Sequence, residues 1–134
     1  NIMNKESLFL ILTAIGVATL VIAYGTHPNY NFLPVPFLNN IDINSTDLSN
    51  VFSAIMGLYL AMASFWIIGA INKSYTIHAL WSLVIFMIGI GGGRLISMFS
   101  DGIPSFPFTQ FLAVEIIFAV IGIIFLKKIG SKPL

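Results

Sequence analysis

Two charged residues, Arg94 and Glu115, stand inside apolar stretches that are each long enough to cross a membrane. Every other charged side chain falls in a connection or a tail. The apolar runs are read as helices over about 8–25, 50–71, 76–99 and 108–126, and they take up most of the 134 residues. At about 1.5 Å of rise per residue, each covers a hydrocarbon core of about 30 Å. An ionised side chain within such a span costs roughly 2.5–3.5 kcal/mol on insertion scales, so a pair on neighbouring helices implies a purpose.

Composition agrees. The chain is 57% hydrophobic and 8% charged, and its mean hydropathy is +0.97. A soluble domain of this size does not have such values. The expected fold is an all-α integral membrane protein, one antiparallel four-helix transmembrane bundle occupying residues 1–134. A formal net charge of +1 gives no reason to expect nucleic acid as a partner. The absence of cysteine excludes disulfides, thiolate metal sites and cysteine nucleophiles. His27 and His78 fall at opposite ends of the bundle, so no metal site is expected, and no cofactor.

The lysines set an expected orientation. Lys5, Lys73, Lys127, Lys128 and Lys132 lie on one side, and the opposite connections carry Asp42, Asp47 and Asp101 with no Lys or Arg. The positive-inside rule makes both termini cytoplasmic. The first run is longer than a usual signal core and is read as a retained helix. The outer loop 26–49 contains Pro28, Pro34 and Pro36 around an apolar centre. It is expected either to lie at the headgroups or over the outer mouth, or to be an irregular surface loop. Ser45, Thr46 and Asp47 offer N-cap oxygens for the second helix.

Depth brings the two charges together. Arg94 lies five residues, about 7.5 Å, from Phe99, and Glu115 lies seven, about 10 Å, from Phe108, on helices joined by a short turn. Ser97 and Asp101 share the Arg94 face of helix three. On helix two Asn50, Ser53, Gly57, Ala61 and Ser64 make a small and polar stripe, expected to face inward. The expected polar cluster is therefore Asn50, Ser53, Arg94, Ser97, Asp101 and Glu115, in the outer half of the bundle. It is either a ligand pocket or a structural ion pair. Gly57 with Ala61, and Gly89 with Gly93, have the spacing of close helix-packing positions.

The stretch 50–59 and the Gly-Arg-x-x-Ser-x-x-x-Asp-Gly-x-Pro pattern of 93–104, followed by Glu115, carry a resemblance. They resemble a bacterial family of four-span membrane proteins described as a domain of unknown function, DUF family 4345, itself similar to the DoxX/DoxD-like superfamily. The resemblance implies the four-helix fold and a polar signature, not a reaction. It also implies an arginine where this chain has Ser53.

Three roles follow, in order. The first is an accessory or structural membrane protein, or a subunit of a membrane complex. The second is a binding protein for a lipid, quinone or similar amphiphile, with its head group near Arg94 and Glu115. The third is a membrane enzyme using Glu115 as acid or base, the catalytic candidate. The expected partners are the lipid bilayer and other membrane subunits or a lipid or quinone. The expected location is the bacterial inner membrane.

Overall fold

The computed structural model describes residues 4–26, 45–106 and 108–130, with the backbone alone for 23–26. The prolines and apolar centre of the connection between the first two helices lie outside the described residues. So do His27, Asp42 and Lys132. All regular structure among the described residues is helical, and four helices are long and apolar enough to cross a membrane.

Helices α1 and α2 start before their apolar runs, where polar side chains cap them. Helix α1, Lys5–Thr26, starts behind Asn4, whose Oδ1 accepts the Ser7 N–H at 2.8 Å. Helix α2, Thr46–Ile71, starts where Ser45 Oγ accepts the Leu48 N–H at 3.1 Å. Of the three cap candidates, Ser45 therefore takes the position. A short 3₁₀ turn, Lys73–Tyr75, leads into α3, with Asn72 Oδ1 accepting from Ser74 N at 3.0 Å. Helix α3, Thr76–Asp101, ends at Gly102, whose φ of 97° lies in the region that favours glycine. Helix α4, Phe108–Gly130, carries Lys127 and Lys128 in its last turn, where cations oppose the helix dipole.

Packing follows chain order: α1 lies against α2, α2 against α3, and α3 against α4. The core is built around Trp66, Leu10, Leu80 and Leu83, all fully buried. Trp66 Nε1 donates to Ser82 Oγ at 3.1 Å, which in turn donates to the Ala79 carbonyl at 2.7 Å. The Trp66 ring meets Phe86 edge-on at 5.4 Å. Nearby, Thr76 Oγ1 donates to the Gly69 carbonyl at 2.6 Å. A β-carbon on Gly69 would collide with that of Ala79 and lie 3.2 Å from the Tyr75 carbonyl, so α2 and α3 approach too closely for a side chain. On α4, a β-carbon on Gly122 would come within 2.6 Å of Val84 Cγ2.

The outside is as apolar as the inside. Ile85 is 64% exposed, Ile96 72% and Phe99 90%. Large apolar surfaces of this kind are solvated by lipid, not by water.

Here the expected packing face of helix two is corrected. Asn50, Ser53, Gly57, Ala61 and Ser64 are exposed, and the buried positions are Ala63, Trp66 and Gly69. At 100° per residue the two sets occupy opposite sides of the helix. The bulk of Trp66 and the close approach at Gly69 take the inward side. Nor do Gly57, Gly89 and Gly93 sit at helix contacts, since a β-carbon on any of them would meet nothing within 4 Å.

Candidate functional site

Arg94 and Glu115 meet across the α3–α4 seam. Each lies seven residues, roughly 10 Å, from the end of its helix at the connecting turn, so the two reach the same level. Arg94 Nε donates to Glu115 Oε1 at 2.8 Å and to Oε2 at 3.1 Å. The guanidinium also stands 5.5 Å from the centre of the Phe111 ring, a cation–π distance. The Glu115 side chain is 10% exposed and that of Arg94 22%.

Local sequence explains the geometry. Gly91, one turn before Arg94, leaves space that Glu115 fills: a β-carbon there would lie 3.8 Å from Glu115 Oε2. On α4, Glu115, Ala119 and Gly122 are buried at spacings of four and three, so one face carries the carboxylate and the small residues together. That alignment was readable in the chain and marks the inward side of α4 better than hydropathy does.

The remaining members of the expected cluster do not join the pair. Asp101 is exposed and accepts a hydrogen bond from Ser97 Oγ at 3.0 Å, on the same helix. Asn50 and Ser53 sit on the outward side of α2. The sequence placed the polar pocket beside α2. The structure instead has a cleft of about 180 Å³ between α1, α3 and α4, touched by α2 only through Tyr59.

Among the described residues, the lining of this cleft is apolar apart from the charged pair, Thr13 and Tyr59. Thr13 is turned back on its own helix, its hydroxyl donating to the Phe9 carbonyl at 2.8 Å. Tyr59 stacks edge-on with Phe86 at 4.8 Å. Gly16 of α1 widens the cleft, because a β-carbon on it would meet nothing within 4 Å. Past the level of Phe118 the seam closes, where Phe9 packs on Phe118 at 5.7 Å and on Phe125 at 5.5 Å. No group of three or more His, Cys, Asp and Glu side chains able to hold a metal occurs among the described residues.

Four apolar helices around an internal ion pair define a small multi-pass membrane protein. The chain belongs to the family described as a domain of unknown function, DUF4345, which it matches over residues 6–126. No curated protein and no solved structure matches it. The resemblance read from the segments 50–59 and 93–104 falls within the matched span.

Proposed function

We propose that the protein binds an amphiphile of the membrane in the cleft between α1, α3 and α4, with the polar head at Arg94 and Glu115. One observation carries this reading. An apolar cleft of about 180 Å³ opens beside the two charges that lie away from the helix ends. Binding sites are mostly apolar concavities with a few convergent polar groups, and intramembrane ionisable residues mark functional positions by default. The leucine and valine side chains at the rim give a tail an apolar path into the bilayer.

The same proposal includes an antiparallel bundle with both termini cytoplasmic, a place in a bacterial inner membrane, and kinship with DoxX/DoxD-like proteins. The lysine distribution supports the orientation, and the pairing of Trp66 with Ser82 and Tyr59 with Phe86 suits α2 and α3 of opposite direction.

The test is to purify the protein from membranes, extract it, and identify what co-purifies by mass spectrometry. Gly16→Phe fills the cleft, and Gly57→Phe places the same ring outside it, at an exposed position where a β-carbon meets nothing within 4 Å. A species retained near one per protein by wild type and Gly57→Phe, and lost in Gly16→Phe, supports the reading. Equal retention by all three, or none by wild type, overturns it.

A second reading, an accessory subunit, is favoured by the exposed stripe of Asn50, Ser53, Gly57, Ala61 and Ser64 on α2. Small residues let transmembrane helices approach closely, and lipid gains nothing from them. Bulky substitutions at Gly57 and Ala61 that release a co-purifying protein would support this role.

A further inference from the structure

We infer that the cleft selects an uncharged amphiphile, one apolar chain ending in a small hydroxyl-bearing head, and rejects acidic lipids; this rests on the amphiphile reading above. The first argument is charge. Among the described residues, Arg94 and Glu115 are the charged side chains that line the cleft, and at 2.8 Å they neutralise each other towards a head group. The nearest acidic neighbour along α3, Asp101, is exposed and held by Ser97. A carboxylate or phosphate head entering here would meet Glu115 as a like charge in a poorly solvated place. To gain Arg94 it would have to displace a carboxylate already in contact. A cationic head would meet Arg94 with the same difficulty.

A hydroxyl meets neither obstacle. A carboxylate offers about four acceptor sites on its two oxygens, more than the Arg94 Nε–H takes. A hydroxyl donates to Glu115 and leaves the ion pair closed. Hydrogen bonds to an ionised group are about twice as strong as neutral ones, so a single O–H anchors the head.

Size points the same way. A dry cavity of about 150 Å³ lined by Leu, Ile and Phe holds one benzene. A cleft of about 180 Å³ therefore takes one ring or a short stretch of chain, not a glycerol backbone with two acyl tails. The rest of the chain must lie outside. At the α1–α4 rim Leu12 is 60% exposed, Leu20 44% and Val114 45%, a wholly apolar edge along which a tail can leave. The rings of Phe86, Phe111 and Phe118 furnish the flat walls.

The chain contains no cysteine, so one introduced at the rim reports on the cleft without interference. Val114→Cys in detergent micelles is treated with a maleimide at equal micellar mole fractions of decan-1-ol, decanoate or decyl phosphate. An outward control, Ile96→Cys, corrects for changes in the micelle. The expected result is that decan-1-ol slows labelling of Val114→Cys about tenfold, which corresponds to ~1.4 kcal/mol, and the two acids do so much less. Adding Gly16→Phe should abolish the protection by the alcohol. Protection by decanoate or decyl phosphate equal to that of the alcohol overturns the selectivity and leaves the cleft reading standing. No protection by any of the three, or protection that survives Gly16→Phe, overturns both.

Discussion

Gly91 and Glu115 face each other across the α3–α4 seam, with room for one methyl group and little more. A β-carbon on Gly91 would lie 3.6 Å from Leu112 Cδ1 and 3.8 Å from Glu115 Oε2, ordinary contact distances. Gly91→Ala should therefore be accepted, and it should raise stability by up to about 1 kcal/mol through helix propensity. Gly91→Leu should push the carboxylate from Arg94 and lower the melting temperature in detergent. Equal melting of the two variants would show that the seam is looser than these distances.

The ion pair itself predicts an inversion of the usual ranking of single and double changes. Glu115→Gln leaves Arg94 with a neutral partner in a poorly solvated seam. Breaking a buried pair costs about 3–5 kcal/mol in soluble proteins, and the partial exposure of Arg94 places this one toward or below the lower end. Replacing both Arg94 and Glu115 by Met takes both charges out of the seam and should cost less than the single change. A double-mutant cycle read by thermal melting checks this. Additive losses would mean that the contact contributes nothing.

How much of this was legible in the chain depends on which signal is meant. Spans of about twenty apolar residues define helices whatever they pack against, and a short turn places charges equidistant from it at one level, so the meeting of Arg94 and Glu115 could be read. The inward side of α2 could not. In water a helix hides its apolar side, but a helix in lipid is apolar on both, and polarity no longer tells inside from outside. The stripe from Asn50 to Ser64 looked inward by analogy with small-residue interfaces. The burial of Trp66 against Ser82 and Phe86 decided otherwise, and the pocket moved from α2 to the α1 side with it.

Glycines test that correction directly. Gly69→Ala should be strongly destabilising, because its methyl meets Ala79 and the Tyr75 carbonyl, neither of which can swing away. Gly122→Ala should follow, since Val84 has few rotamers to yield with. Gly57→Ala, Gly89→Ala and Gly93→Ala should be neutral or stabilising by roughly 0.5–1 kcal/mol, as for any open helical glycine. Melting curves of the five variants suffice. The reverse order would restore the packing faces that spacing alone suggested.

Orientation gives the last prediction. Lys73 lies in the exposed turn between α2 and α3, and Lys127 and Lys128 in the last turn of α4. Ser49 lies in the exposed first turn of α2, one helix length from Lys73. Cationic connections resist translocation, so the lysine end should remain in the cytoplasm and the α3–α4 turn should face outward. With no native cysteine to interfere, Ser49→Cys should react with a membrane-impermeant maleimide in intact cells. Lys73→Cys should react only after the membrane is opened. The opposite labelling pattern would turn the bundle over and place the Arg94–Glu115 pair in the cytoplasmic leaflet. An amphiphile would then have to enter the cleft from that side.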